Sequence, residues 1–281
     1  MGILNKIKRR IYLLKQAIIP LQEQFGKKQF QAEFVDLFWK ALRGLNIGTG
    51  DEFATSGELH ILHELKDKYF KITDAPWVIF DVGANVGNYT KAITDIFSDS
   101  NYHLYCFEPS AKTFEILANN LSKSEKVSLI NLGMSNKESK QILYTDNDGS
   151  GMASLTKRNL EYRNIHMDKS EEVNLTTIDI FCKQNKINQI DFLKLDIEGF
   201  ELDALNGGIK MINRDAIKYI QFEFGGCNID TRTYFKDFFF FLKEKYSIYR
   251  VLQDGLIEIP EYHEVHEQFN TTNYFAINKN I

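Results

Sequence analysis

Short apolar runs alternate with amphipathic stretches along most of this chain. The first three runs are "WVIFDV" (77–82), "HLYCFE" (103–108) and "VSLINL" (127–132). They are largely apolar, which is typical of strands covered on both faces of a sheet. The stretches after the first two runs have apolar residues at helical spacing, and Ser110 is a suitable N-cap for the second. Strand, helix and strand in this order predict parallel pairing.

The alternation breaks between residues 137 and 178, where two segments of period two flank a polar stretch and indicate a hairpin-like insertion. It resumes with "IDFLKLD" (190–196), "IKYIQFEF" (217–224), "YSIYRVL" (246–252) and "NYFAIN" (273–278). We therefore expect a doubly wound α/β fold with a mostly parallel, Rossmann-like sheet and helices on both faces. Ligands of such folds bind beyond the carboxyl ends of the strands.

Charge is distributed unevenly along the 281 residues. Residues 1–45 carry nine Lys/Arg and three acids, a net charge of +6, so the remainder carries −10 given a total of −4. In residues 1–20 apolar positions recur at helical spacing with basic residues between them, which predicts a basic amphipathic helix. Such a helix binds a membrane surface, packs on its own domain or contacts a second subunit in a homodimer. The acidic body argues against nucleic acid as a partner.

We predict two parts, a helical N-terminal extension over residues 1–48 and one domain over residues 49–281. The three cysteines, Cys106, Cys182 and Cys227, are odd in number and lack C-x-x-C spacing. This argues against a disulfide framework and a zinc cluster, and for a reducing compartment. With no secretory signal and no membrane span in the sequence, we expect a cytoplasmic protein, at the inner membrane surface if residues 1–20 bind it.

The loop after the first strand, "DVGANVG", is the first candidate binding element. Gly83, Asn85 and Gly87 allow a tight turn close to a ligand. A dinucleotide site has G-x-G-x-x-G spacing and faces pyrophosphate with backbone amides. Here the spacing is G-x-N-x-G, and Asp81 precedes the turn. A carboxylate repels pyrophosphate and suits the sulfonium and ammonium of S-adenosylmethionine.

Glu108 lies at the end of the second strand, 21 residues beyond Gly87. An acid at this position accepts hydrogen bonds from both ribose hydroxyls in dinucleotide folds. Either acid alone could be a helix cap or a turn residue. Both at their strand ends, with the loop between them, predict a site for an adenosyl ligand.

Four motifs together resemble those of the FkbM family, a branch of the class I S-adenosylmethionine-dependent methyltransferases. They are "FDVGANVG", "FEP", "LGMSN" and "FLKLDIEGFELDALNG" (192–207), and "SGE" (56–58) and "NYFAIN" also fit. The similarity extends from about residue 50 to residue 278 and leaves out the first 45 residues. It implies a seven-stranded sheet whose last strand is antiparallel, S-adenosylmethionine as cofactor and methyl transfer to an oxygen. The family's acceptors are often hydroxyls of sugars, glycans or natural products.

The resemblance also implies roles for individual residues. The cofactor would be bound by Glu58, Asp81, Gly83, Ala84, Asn85, Gly87, Glu108, Pro109, Gly133, Met134, Ser135 and Asp196.

Asp196, Glu198 and Glu223 are the candidate catalytic residues, because they stand at or near the ends of two neighbouring strands. They could act as a base, as ligands of a divalent cation or as anchors for the cofactor amine. Glu198 could instead be a carboxylate favoured at a helix start. We predict no resident metal, since two strand-end acids are a thin ligand set.

Three other features carry alternatives. "DND" (146–148) resembles the metal-binding motif of nucleotide-sugar enzymes, but Asp, Asn and Gly together usually form a turn. "GSGMAS" (149–154) could cover the cofactor as a lid. His263 and His266 are expected at the surface. A nucleotide-sugar enzyme and a non-catalytic scaffold with a retained cofactor fold are therefore the two rival functions.

Overall fold

The structure of the protein is a computed structural model that describes residues 23–50, 53, 55–70, 75–121 and 124–281. The chain divides into two units, one ending at Leu45 and the other running from Asn46 to Ile281. In the first unit, α1 (Gln31–Gly44) follows a 3-10 turn at Lys28–Phe30. The amphipathic helix predicted over residues 1–20 lies outside the described residues. No helix within the described ranges is long and apolar enough to cross a membrane.

The second unit contains eleven strands and eight α-helices among its described residues. The strands are β1 (Trp77–Val82), β2 (Tyr102–Phe107), β3 (Val127–Ile130), β4 (Gly133–Met134), β5 (Ser139–Thr145), β6 (Lys169–Thr176), β7 (Ile190–Leu195), β8 (Ile217–Phe224), β9 (Tyr246–Leu252), β10 (Gly255–Glu258) and β11 (Thr272–Asn278). The helices are α2 (Glu58–Glu64), α3 (Asn88–Ile96), α4 (Ala111–Asn120), α5 (Ile178–Gln184), α6 (Glu201–Gly207), α7 (Ile209–Asn213), α8 (Cys227–Thr231) and α9 (Phe235–Leu242).

The main sheet has eight strands in the order β10-β9-β11-β8-β7-β1-β2-β3. Strands β3, β2, β1, β7 and β8 pair in parallel, and β11 is antiparallel to both of its neighbours. The predicted mostly parallel α/β sheet with an antiparallel last strand is confirmed. The strand count differs from the implied seven, because β10 pairs antiparallel with β9 at the sheet edge. Four residues are too short a run to stand out in the hydrophobic pattern.

The stretch where the alternation breaks forms a separate three-stranded sheet in the order β4-β6-β5. Strands β5 and β6 are antiparallel, and the two-residue β4 pairs in parallel with β6. A small cluster of Leu143, Val173 and Leu175, with Ala153 and Leu155 against it, packs under this sheet. The segment between β5 and β6 is thereby attached to the domain.

Side chains on the two faces of the main sheet belong to two hydrophobic clusters. In β1, Phe80 and Val82 belong to one cluster and Ile79 to the other, all completely buried. Asp81 stands between Phe80 and Val82, so it points to the same face as Ile79. The period of two thus decides where this carboxylate lies.

Four parallel neighbours bring their carboxyl ends to one edge of the sheet. Asp81 pairs in register with Lys194, which pairs with Gln221. Glu108 and Asp196 directly follow β2 and β7, whereas Asp81 and Glu223 are each one residue before the end of their strands. The sequence predicted that Asp81 and Glu223 end their strands, and each of these two predictions is wrong by one residue.

Candidate active site

The loop after β1 has backbone conformations that demand its small residues. Gly83 has φ +88°, and a Cβ there would lie 1.8 Å from the carbonyl oxygen of Asp196. A side chain at this position would collide with a backbone atom that belongs to the neighbouring strand end. Asn85, with φ +47°, adopts the left-handed conformation that asparagine tolerates better than most residues. The backbones of the two loops therefore pack directly against each other.

Glu108 connects this loop to the start of α4. Its Oε2 accepts a hydrogen bond from the Asn85 amide at 3.0 Å, and its Oε1 accepts one from the Ser110 amide at 2.9 Å. The residue is only 7% exposed, and burial raises its pKa to about 7, against these two hydrogen bonds. Each oxygen keeps a second lone pair for a ligand hydroxyl.

A cavity of about 110 Å³ lies next to Glu108. Its apolar walls come from the insertion and from the loop after β7. They include Leu143, Leu155, Leu175 and Phe200. The predicted residues that line it are Gly83, Asn85, Glu108, Pro109, Gly133, Met134, Asp196 and Glu198.

A second cavity of about 630 Å³ adjoins the first, and Gly83, Asn85, Gly151, Asp196 and Glu198 line both. The predicted residues Glu58, Ala84 and Glu223 line only this larger cavity. The structure therefore brings most of the predicted site together around two adjoining cavities.

Three predicted residues line neither cavity: Asp81, Gly87 and Ser135. The Asp81 carboxylate is completely buried and accepts a hydrogen bond from Thr90 Oγ1 at 2.7 Å. The Asp81 carboxylate lies beneath the loop rather than at the entrance of the loop. It can therefore act on a ligand only electrostatically, without direct contact. Burial raises its pKa. Ser135 is buried beside the insertion, with its amide donating to the Thr176 carbonyl.

Lys194 is a site residue that the sequence pattern missed. It is 3% exposed, its Nζ lies 2.9 Å from Asp196 Oδ2, and the same atom lies 4.4 Å from the centre of the Tyr89 ring. Burial alone would lower its pKa, but Asp196, Asp81 and Glu58 raise it above its ordinary value. The ammonium is therefore charged and balances nearby carboxylates. Its signals in the sequence are a lysine inside an apolar strand and its place in the motif "FLKLDIEGFELDALNG".

Glu58, in the first turn of α2, lies on the same side of the sheet. Its carboxylate accepts hydrogen bonds from Ser56 Oγ and Gln221 Nε2, both at 3.1 Å. Burial raises its pKa to about 7, although Lys194 acts in the opposite direction. The "SGE" motif thus contributes a buried carboxyl to the wall of the larger cavity.

Arg158, also missed, connects the insertion to the loop after β7. Its Nη1 lies 2.6 Å from Glu198 Oε2, and its Nε lies 3.2 Å from Asp230 Oδ2. Ser154 Oγ donates to the Glu198 carbonyl at 2.9 Å. Glu198 itself has φ +53°, an unusual conformation for glutamate, and these contacts help to hold it. Arg158 lies in a polar stretch without periodicity, so no local pattern in the sequence predicted its role.

The carboxylates of Asp196, Glu198 and Glu223 converge where the cavities meet. One oxygen from each lies within 4.8 Å of the others. Burial, followed by the charges of Asp196 and Glu198, raises the pKa of Glu223 well above its ordinary value. A set of three carboxylates could also hold a cation, and it is the one such set among the described ranges.

The other predicted motifs lie apart from the cavities. Asp148 has Lys112 at 3.6 Å and Lys169 at 3.5 Å, and "DND" lines neither cavity. His263 donates its amide to His266 Nδ1 within a short turn. By contrast, Ser150 to Ser154 of "GSGMAS" line one or both cavities.

Comparison with known proteins assigns the chain to a family. The family model of the methyltransferase FkbM domain matches residues 81–249. The chain belongs to the FkbM methyltransferase family. Among curated proteins, the 2-O-methyltransferase NoeI of Sinorhizobium fredii (strain NBRC 101917 / NGR234) is 23% identical over 154 residues, which are 52% of this chain and 63% of NoeI.

Solved methyltransferases are similar to this FkbM-family chain at greater distance. The methyltransferase FkbM from Methylobacillus flagellatus KT has 14% identity and a TM-score of 0.45, and the match covers 76% of this chain and 47% of that one. A human methyltransferase 10 domain containing protein has 9% identity and a TM-score of 0.39, covering 78% and 80%. The chain thus spans less than two thirds of the length of NoeI and of the bacterial structure.

Proposed function

We propose that this FkbM-family chain is an S-adenosylmethionine-dependent O-methyltransferase whose acceptor is a hydroxyl of a sugar, glycan or natural product. The convergence of Asp196, Glu198 and Glu223 at the junction of the two cavities is the observation that carries the proposal. Methyl transfer is an in-line displacement, so cofactor and acceptor must meet at such a junction.

The residues around the smaller cavity fit the adenosyl half of the cofactor. Apolar walls suit a purine ring, and the Glu108 carboxylate suits two ribose hydroxyls. The Asn85 side-chain oxygen is buried and has no hydrogen-bond partner among the described residues, so a donor from a ligand would satisfy it. When bound, S-adenosylmethionine supplies a methyl group on a positively charged sulfur.

The residues around the larger cavity fit the methionine half and an acceptor. An alcohol must lose its proton during or after attack, and a positioned carboxylate accelerates this step. Glu223 is the best candidate for this base, because its carboxylate lies with those of Asp196 and Glu198 and, among the described residues, no hydrogen bond to Lys194 or Arg158 engages it. Asp196 would hold the cofactor amine or orient the acceptor. NoeI is a 2-O-methyltransferase by name, which supports oxygen as the acceptor atom.

Calorimetry with S-adenosylmethionine, S-adenosylhomocysteine and NADH tests the cofactor. We expect heat with the first two and none with NADH. Transfer of tritium from methyl-labelled S-adenosylmethionine to carbohydrate or natural-product extracts tests the reaction. Binding of uridine diphosphate sugars without S-adenosylmethionine binding would favour the nucleotide-sugar alternative. Cofactor binding with no transfer to any extract would favour the scaffold.

A further inference from the structure

A short turn in the insertion stands at the larger cavity and is firmly anchored. The 3-10 turn Glu161–Arg163 lies between Leu160 and Met167, which are 2% and 3% exposed. Asn164 ends the turn at φ +57°, and the amides of Arg163 and Ile165 both donate to the Leu160 carbonyl. The buried flanks and the closed turn fix the direction in which its middle residues project.

Tyr162 projects from this turn and lines the larger cavity. It is 79% exposed, the highest value among the exposed large hydrophobic residues in the described part of the chain. An aromatic ring held this far from the core contributes almost nothing to folding. Its face carries a negative quadrupole, which attracts the slightly positive C–H groups on one face of a sugar ring.

Arg163 lines the same cavity and is exposed. Within the described ranges no carboxylate oxygen lies within 4 Å of its guanidinium, whereas Arg158 is paired with two acids. An arginine without a carboxylate partner is suited to bidentate contact with a phosphate or carboxylate of a ligand.

We propose that the Tyr162–Arg163 turn recognises the acceptor, and that the acceptor is a glycan whose sugar ring stacks on Tyr162 and whose phosphate or carboxylate pairs with Arg163. This inference rests on the proposed function and narrows its acceptor to an anionic glycan. Both residues lie outside the predicted cofactor set, so they discriminate between acceptors without contributing to cofactor binding.

The test measures tritium transfer from methyl-labelled S-adenosylmethionine to a glycan extract of cells in which the gene has been deleted. We expect Tyr162→Ala to raise the apparent KM for the extract at least tenfold, while Tyr162→Phe stays within threefold because it keeps the ring. Phe240→Ala is the matched control, since Phe240 is 48% exposed but lines neither cavity. All three variants should keep the wild-type affinity for S-adenosylhomocysteine, which also shows that they are folded.

The second arm tests the anion. Arg163→Gln should raise the KM at least tenfold and abolish its increase with salt, because exposed charge pairs are screened. The labelled product should bind an anion-exchange resin. Loss of binding after phosphatase identifies a phosphate, and loss after carbodiimide reduction of carboxyl groups identifies a carboxylate.

Two results would overturn the inference and leave the proposed function intact. One is labelled carbohydrate with wild-type KM in both Tyr162→Ala and Arg163→Gln. The other is a labelled product that carries no charge. If wild-type protein binds S-adenosylhomocysteine but labels no carbohydrate, the glycan acceptor is wrong at the level of the proposed function.

Discussion

Glu108 offers the sharpest test of the cofactor site, through the pH dependence of affinity. Its pKa is raised to about 7 by burial, so at pH 6 most of the carboxyl is protonated in the protein without ligand. Ribose hydroxyls donate more strongly to an ionised carboxylate than to a carboxylic acid. Binding below pH 7 therefore requires loss of a proton, and affinity should rise with pH up to about 7 and then level off.

The magnitudes follow from the same contacts. Below the pKa of Glu108, affinity should fall by a factor of about ten for each unit of decreasing pH, which is about 1.4 kcal/mol. Above pH 7, Glu108→Gln should weaken binding by about 1 to 3 kcal/mol, the range for hydrogen bonds to a charged group. A glutamine has one acceptor oxygen for the two amides of Asn85 and Ser110, so the loop loses a partner as well. The variant should therefore bind weakly and without the rise between pH 6 and 8.

Calorimetric titration with S-adenosylhomocysteine at pH 6, 7 and 8 measures both quantities. Asp191→Asn is the matched control, because this buried carboxylate accepts from the Val78 amide and Lys218 at the opposite edge of the sheet. It should lower thermal stability and leave affinity unchanged. If Glu108→Gln kept the wild-type affinity and the wild-type increase of affinity with pH, the reasoning would be refuted. An increase of affinity with pH that survives in Glu108→Gln but vanishes in Glu58→Gln would assign the titration to Glu58, another carboxyl with a pKa of about 7.

Three further outcomes are expected. Gly83→Ala should lose more than about 2 kcal/mol of stability in urea denaturation, because the added Cβ meets the Asp196 carbonyl. A Cβ at Gly255 would have no heavy atom within 4 Å, so Gly255→Ala should change the stability by less than about 0.5 kcal/mol. Burial raises the pKa of Glu201 to about 7, so the folded protein keeps a proton that the unfolded chain loses above pH 4.5. The free energy of unfolding should therefore fall as the pH rises from 4.5 to 7, and this fall should be less steep in Glu201→Gln. Asp196→Asn should keep its fold by circular dichroism and lose at least about a hundredfold in tritium transfer, while EDTA leaves the wild-type rate unchanged.

Local pattern was sufficient for the parts of the site that lie at strand ends. Glu108 and Asp196 follow strands whose apolar runs are visible in the sequence, and parallel pairing then places them at one edge. Asp81 shows the limit of that reasoning. A displacement of one residue along a strand reverses the face to which a side chain points. The Asp81 carboxylate consequently lies under the loop, where it accepts a hydrogen bond from Thr90.

Contacts between distant segments could not be predicted in the same way. Arg158 and Glu198 are forty residues apart, and their ion pair depends on how the insertion folds back over the domain. Lys194 could be located on its strand, but its partners come from three different elements. Periodicity encodes which face of an element is buried, whereas these pairs depend on the arrangement of several elements.

The charges around the three converging carboxylates favour proton transfer over a resident metal. Asp196 is already neutralised by Lys194 at 2.9 Å, and Glu198 by Arg158 at 2.6 Å. A divalent ion that takes six or more oxygen ligands would have to compete with both cations, which the fold holds almost completely buried. Removing one partner of a buried pair leaves an uncompensated charge, so that competition is costly. Within the described part of the chain no Lys or Arg forms an ion pair with Glu223, and its pKa is raised first by burial and then by the charges of Asp196 and Glu198. The two ion pairs therefore leave Glu223 as the carboxyl of the cluster that we propose as the base.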